Sequence, residues 1–139
     1  VVDDAGRLLL GRRTDNGQWA VVSGIPEPGE QPATAIRREC LEETGVDVEI
    51  LALIGVEAGQ PISFPNGDNC VFMDINFVGR ARPGSADRAH VADDESTHVG
   101  WFRPDSLPEP LSDSSAARIR AGLSWLADPV PGARFHPAF

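Results

Sequence analysis

The segment over residues 24–46 constrains this chain more than any other part of it. It reads GIPEPGEQPATAIRRECLEETGV, and its last third is predicted to be helical and carries Arg38, Glu39, Glu42 and Glu43. On a helix these three glutamates follow i, i+3, i+4 spacing, so their carboxylates share one face and repel one another by roughly 0.2–0.5 kcal/mol per pair. A hard divalent cation such as Mg²⁺ would relieve that repulsion, since it takes oxygen ligands and fills its remaining positions with water and phosphate. The alternative is a solvated acidic helix face.

The same segment matches a known pattern over its whole length. The pattern is G, five residues, E, seven residues, then R-E-U-x-E-E-x-G-U with U aliphatic, and it is met by Gly24, Glu30, Arg38, Glu39, Cys40, Glu42, Glu43, Gly45 and Val46. Two positions differ from the usual residues of the pattern. Cys40 takes a position that is usually aliphatic, which a buried thiol can fill as a small hydrophobe, and Ser23 precedes Gly24 where many members have a second glycine. The segment therefore resembles the Nudix box of MutT-like hydrolases.

The resemblance implies the fold, a Nudix-type α/β/α sandwich with a mixed central sheet. We expect a single hydrolase domain over residues 1–127, a proline-bearing tail over residues 128–139, and a truncated first strand at the start of the chain. The apolar patterns predict strands at 7–13, 19–22, 46–57, 71–78 and 99–102, helices at 32–45 and from about 113, and loops at 59–67 and 81–96.

The resemblance also implies the reaction. Nudix proteins typically hydrolyse a nucleoside diphosphate linked to another group, by attack of water on a phosphorus of the pyrophosphate. We expect Mg²⁺ or Mn²⁺ as cofactor and a small nucleotide-type substrate, with ADP-ribose or a nucleotide sugar preferred over nucleoside triphosphates. The alternative is a catalytically silent module that senses a nucleotide ligand. The presence of both Glu39 and Glu43 favours the enzyme, because a sensor could lose them without penalty.

By their positions in the motif, Glu39 and Glu43 are predicted as catalytic metal ligands. Glu42 lies beside them as a third ligand, and the family pattern adds the backbone carbonyl of Ser23. Glu39 could instead transfer a proton, so its role remains open between ligation and general-base catalysis.

Two further groups are predicted to support the reaction. Glu30 and Arg38 are expected to orient the metal ligands, because an arginine fork can join a loop carboxylate to the helix. Glu95, in the acidic run before the strand at 99–102, is the candidate general base, since a separate loop often supplies this base in the family. The alternative for Glu95 is an ordinary charged loop.

Three residues are candidates for substrate binding. Arg12 and Arg13 end the predicted first hairpin, where relatives contact phosphate, and the alternative is ordinary surface charge on a strand. Phe64 could stack on a base, although an isolated aromatic side chain is more often part of the packing.

The composition of the chain limits the classes of partner that we expect. The formal net charge of −9 disfavours nucleic acid, whose binding proteins usually carry a basic face. No apolar run approaches the roughly 18 residues of a membrane helix, so we expect a cytoplasmic protein that does not bind membranes. Cys40 and Cys70 form no disulfide framework and are predicted to be reduced, buried thiols. The oligomeric state stays open, with a homodimer as one alternative.

Overall fold

The computed structural model describes residues 1–131 of the 139-residue chain. Its elements are β1 (Leu8–Arg13), β2 (Trp19–Ala20), α1 (Pro32–Thr44), β3 (Val48–Ala58), β4 (Ile62–Ser63), β5 (Asn69–Cys70), β6 (Met73–Ala81), a 3-10 turn (Ala86–Arg88), β7 (Ser96–Phe102) and α2 (Asp113–Ala127). Most of the predicted tail, residues 132–139, lies outside the described part. No helix within residues 1–131 is long and apolar enough to cross a membrane.

The strands of the central sheet form two antiparallel groups that Val2 joins. β1 pairs with β2 on one side and with β7 on the other, and β3 pairs with β6. Val2 bridges antiparallel to Leu8 and parallel to Arg80, so it links β1 to β6. This parallel bridge makes the central sheet mixed, as the sequence predicted.

The two helices cover opposite faces of this sheet. Successive side chains on a strand point to opposite faces, and β1 follows this rule. Leu9 packs in a core with Cys40 of α1, whereas Leu8 and Leu10 pack in a second core with Ile119 of α2. The predicted α/β/α sandwich is therefore confirmed.

Helix α1 begins and ends at residues suited to those positions. Pro32 occupies the first turn, where its missing N–H would be unpaired anyway. Gly45 ends the helix with φ +72°, and its N–H donates to the Leu41 carbonyl at 2.9 Å. A Cβ at Gly45 would also lie 2.4 Å from the imidazole ring of His90. Backbone conformation and space both require glycine here.

The sequence missed a small hairpin. The predicted loop at 59–67 contains β4, which pairs with β5 around a turn at Asn66 and Gly67, where Gly67 has φ +92°. The Asn-Gly pair is a known hairpin signal and could have predicted this turn. Cys70 lies on β5 and is half-buried, so the prediction that both thiols are buried was wrong for this residue.

Several predicted strand boundaries were also wrong. β2 ends at Ala20 instead of residue 22, because Val21 donates its N–H to the Ser115 hydroxyl of α2 at 3.1 Å and not to a strand. β6 begins at Met73 instead of residue 71. β7 begins at Ser96, three residues before its predicted start, since pairing with β1 extends it into a polar segment that has no apolar pattern.

We expect Leu10→Ala to destabilise the fold strongly. Leu10 is fully buried between β1 and α2, so its truncation leaves a cavity and lowers the free energy of unfolding by about 2–5 kcal/mol. Urea denaturation measures the loss. Leu53→Ala is the matched control, because Leu53 is 36% exposed on β3, and it should cost less than about 1.5 kcal/mol. Equal losses in the two variants would contradict the assigned core.

Candidate active site

The guanidinium of Arg38 lies at the centre of the acidic face of α1. Its Nε and Nη2 donate to the two carboxylate oxygens of Glu30, each at 3.0 Å, in a bidentate pair. Its Nη1 lies 2.9 Å from Oε2 of Glu42 and 3.0 Å from Oε1 of Glu39. One cation thus joins the loop before the helix to two glutamates on the helix.

The ion pairs and the burial of this cluster shift the pKa values of its members. The hydrogen bonds from Arg38 hold the pKa of Glu30 below its usual value, and Glu30 in turn raises the pKa of Arg38. Glu39 behaves differently, because burial raises its pKa by more than the Arg38 charge lowers it. The Glu39 side chain is only 16% exposed. Its carboxylate is therefore held in a partly dehydrated position.

Gly24 allows the preceding loop to lie directly against Glu39. A Cβ at position 24 would come within 2.2 Å of the Glu39 carboxyl carbon. Any larger residue would displace that carboxylate or the loop. The glycine that opens the motif is thus explained by close approach, since its φ is not positive.

A small cavity lies between the end of α1, strand β1 and the start of β7. Its charged lining residues are Arg13, Glu43 and Glu95, and residues 20–23 form part of the same lining. Burial, followed by the negative charges of Glu95, Glu39 and Asp93, raises the pKa of Glu43 to about 8, and Arg13 opposes this shift only in part. The cavity therefore concentrates negative charge that its own guanidinium does not neutralise.

Backbone hydrogen bonds fix the loop that carries Glu95 to two elements. On the helix side, His90 donates its N–H to the Thr44 carbonyl at 3.0 Å and Ala92 donates to the Glu43 carbonyl at 3.2 Å. On the sheet side, Thr14 donates its N–H to the Glu95 carbonyl at 2.9 Å. The loop thus bridges the C-terminal end of α1 and the end of β1.

Of the predicted site residues, Arg13, Ser23, Glu43 and Glu95 line this cavity, whereas the Arg38 cluster with Glu30, Glu39 and Glu42 lies outside its lining, as do Arg12 and Phe64. The Arg12 side chain points to the α2 face of the sheet, and its Nε donates to the Gly17 carbonyl at 3.0 Å. Phe64 is 43% exposed beside the β4–β5 hairpin. Glu42 is 55% exposed at its pair with Arg38. Within residues 1–131, no three His, Cys, Asp or Glu side chains are grouped closely enough to hold a metal by themselves.

Two residues of the cavity were missed by the sequence analysis. Ser96 lines the cavity and is buried, and Gly11 of β1 lines it as well. A Cβ at Gly11 would be 2.8 Å from the Ser96 hydroxyl, so the strand must carry glycine there or push Ser96 aside. A glycine inside a strand pattern is a signal of such a close approach and could have found this pair.

A family model and known proteins are similar in sequence to most of this chain. The family model described as NUDIX domain matches residues 1–123. A MutT-like protein of Streptomyces ambofaciens is 37% identical over 124 residues, which cover 88% of this chain and 72% of that protein. The 8-oxo-dGDP phosphatase of Mus musculus is 36% identical over 111 residues, 78% of this chain but only 31% of its own length, so this chain spans about a third of that relative.

A solved structure gives independent support for the fold. The ADP-ribose pyrophosphatase of Streptococcus suis superposes with a TM-score of 0.71 at 20% identity, over 94% of this chain and 90% of that one. At this identity the likeness concerns the fold alone. The family model covers most of the chain, and together with the MutT-like relative it shows that the chain belongs to the Nudix hydrolase family.

Proposed function

We propose that this chain is a Mg²⁺-dependent pyrophosphatase that hydrolyses a small nucleoside diphosphate derivative. The observation that carries the proposal is the cavity, where Glu43 and Glu95 face Arg13. The two carboxylates supply the negative charge that a cation needs, and the guanidinium supplies the positive charge that a phosphate needs. The activity is assigned to one domain over residues 1–127.

The donor groups fit a hard divalent cation. The raised pKa of Glu43 reflects burial together with uncompensated negative charge, which a cation would relieve. Mg²⁺ or Mn²⁺ would be held by Glu43, Glu39 and the backbone carbonyl of Ser23. Glu42, which is more exposed, would be a further ligand. Because Mg²⁺ often takes only one or two carboxylates and keeps several waters, a closed protein cage is not required. A bound cation polarises the phosphoryl group and lowers the pKa of the attacking water.

The remaining residues have roles that follow from their contacts. Arg13 lines the cavity with Glu43 and Glu95, and its Nε and Nη2 donate to the Asp15 carboxylate at 2.9 and 2.7 Å. Its planar guanidinium would bind two oxygens of a phosphate by exchanging Asp15 for the substrate. Glu95 is assigned as the general base. It accepts the proton of the attacking water while the water oxygen bonds to phosphorus and the bond to the leaving phosphate oxygen breaks. The bidentate pair with Glu30 holds Arg38 in place, and Arg38 in turn orients Glu39.

Within the substrate class, a nucleoside diphosphate linked to a sugar is preferred over nucleoside triphosphates. The name of one relative similar in sequence, an 8-oxo-dGDP phosphatase, supports a substrate whose nucleoside carries two phosphates over one that carries three. Arg12 and Phe64 remain candidate contacts to the parts of the substrate that extend beyond the cavity.

A hydrolysis screen with Mg²⁺ tests the proposed activity. The panel contains ADP-ribose, nucleotide sugars, 8-oxo-dGDP, NADH, dinucleoside polyphosphates and nucleoside triphosphates, and released phosphate compounds are measured by chromatography. We expect turnover of at least one nucleoside diphosphate derivative and none after removal of the metal with EDTA. Silence across the whole panel would instead favour the ligand-sensing module.

On the substrate that the screen identifies, we expect Glu43→Gln to abolish Mg²⁺-dependent turnover while the protein stays folded. The amide keeps the shape of the side chain but removes the negative charge that the cation needs. Glu49→Gln, which alters an exposed glutamate on β3, is the matched control and should keep the wild-type rate. Full activity in Glu43→Gln would overturn the assignment of the metal site.

Glu43 should also make the metal-free protein less stable as the pH rises. Its pKa is about 8 in the folded chain and about 4.5 in the unfolded chain, so between these values the folded state binds more protons. The stabilisation from protonated Glu43 is complete below pH 4.5 and is lost as the pH rises through 8. In EDTA, Glu43→Gln should melt a few degrees higher than wild type at pH 9 and show no such gain at pH 4. Thermal denaturation measures this difference, and an equal gain at both pH values would contradict it.

Glu95→Gln tests the base assignment separately. A general base contributes roughly 10² to 10⁴ in rate, so kcat should fall by at least about 10²-fold while KM changes little. Asp87→Asn, in the 3-10 turn of the same connection, serves as the control for a lost surface charge. A decrease of less than about threefold in Glu95→Gln would exclude Glu95 as the base.

A further inference from the structure

Thr14, which the sequence analysis did not single out, makes two hydrogen bonds to the loop that carries Glu95. Its N–H donates to the Glu95 carbonyl at 2.9 Å, and its hydroxyl donates to the Asp94 carbonyl at 2.8 Å. The hydroxyl bond joins positions 80 residues apart in sequence. Thr14 is exposed and lies directly after Arg13, at the point where β1 ends. It therefore holds two successive peptide groups of the acidic loop without being part of the core.

The pairing of β1 with β7 changes at the same place. Arg12 lies opposite His98, but Arg13 lies opposite Ser96, so the register slips by one residue between the two arginines. Such irregularities bend a strand and redirect the side chains beside them, and they are common next to active sites. Here the slip brings Thr14 level with Glu95, and regular pairing would have placed Ser96 there instead.

The other side of the loop is attached to α1. His90 and Ala92 donate their backbone N–H groups to the carbonyls of Thr44 and Glu43. Within the loop, Nδ1 of the His90 ring donates to the Arg88 carbonyl at 2.6 Å. The backbone of Glu43 is thus held by the same loop that presents Glu95. Any substitution that frees the sheet side of this loop would change the distance between the two carboxylates without touching either one.

We propose that Thr14 is a positioning residue that holds Glu95 against Glu43 through the Thr14 hydroxyl. The proposal rests on the proposed function in one respect, the assignment of Glu95 as general base. Displacement of a reacting group by about 1 Å can cost 10²-fold in rate, so the loss of one hydroxyl that fixes a catalytic loop has a measurable effect. Thr14 contacts no reacting atom in this arrangement.

The test compares Thr14→Val, which keeps the shape but loses the hydroxyl, with Thr14→Ser, which keeps the hydroxyl. We expect kcat to fall about tenfold in Thr14→Val with KM within a factor of two, and Thr14→Ser to stay within a factor of two of wild type in both constants. Thr97→Val is the matched control. Its hydroxyl donates across the same two strands, to the Arg12 carbonyl at 3.3 Å, but makes no bond to the acidic loop.

A double-mutant cycle separates positioning from a general structural role. If Thr14 acts through Glu95, the variant that combines Thr14→Val with Glu95→Gln should be as slow as Glu95→Gln alone. A further tenfold loss in the double variant would show that Thr14 acts elsewhere and would overturn the proposal. Wild-type turnover in Thr14→Val would overturn it as well.

Amide hydrogen exchange provides a readout that needs no substrate. Exchange in a peptide covering residues 91–97 should be several-fold faster in Thr14→Val than in wild type or Thr14→Ser, and unchanged in Thr97→Val. Equal exchange in Thr14→Val and wild type would overturn the proposal.

The failures of the two proposals are distinguishable. Wild-type activity in Glu95→Gln would overturn the positioning proposal and leave the hydrolase assignment, which depends on Glu43 and Mg²⁺. Silence of the wild-type protein across the whole substrate panel would overturn the hydrolase assignment. Hydrogen exchange would then decide by itself whether Thr14 fixes the loop.

Discussion

The arrangement of this site depends on the ion-pair cluster around Arg38. Three glutamates on one helix face would repel one another, and a single guanidinium that contacts Glu30, Glu39 and Glu42 offsets much of that repulsion. Because the same guanidinium holds a loop carboxylate in a bidentate pair, it also sets how the loop over residues 24–30 meets the helix. Gly24 completes this contact by leaving room for the Glu39 carboxylate.

Arg38 makes no ion pair with Glu43, so it does not offset the charge of this carboxylate. Glu43 is one turn further along α1 than Glu39, and it turns into the cavity where Glu95 and Asp93 add negative charge. On this helix, Glu39 and Glu42 are therefore paired with a cation, whereas Glu43 is not. A protein selected only for stability would not concentrate buried charge in this way, since each uncompensated carboxylate must be protonated or paired. This difference gives the proposed cation a defined place.

Prediction from sequence succeeded where the pattern is local. The Nudix box, the helix that follows Pro32 and the glycine that ends it depend on residues within a few turns of one another, and all three are present. It failed where an element depends on a distant partner. The extension of β7 to Ser96 and the end of β2 at Ala20 are decided by pairing across the sheet and by a bond to α2, which no local pattern encodes.

The sequence by itself determined the family and the helix that carries the glutamates, because a motif of nine spaced residues fixes them within one short segment. Only the tertiary structure decided which side chains meet. It brought Arg13 into one cavity with Glu43 and left Arg12 on the opposite face of the sheet, because successive side chains on a strand point to opposite faces. It also placed Thr14 beside Glu95. Contacts between residues 80 positions apart arise from the packing of strands and loops, and spacing along the chain does not reveal them.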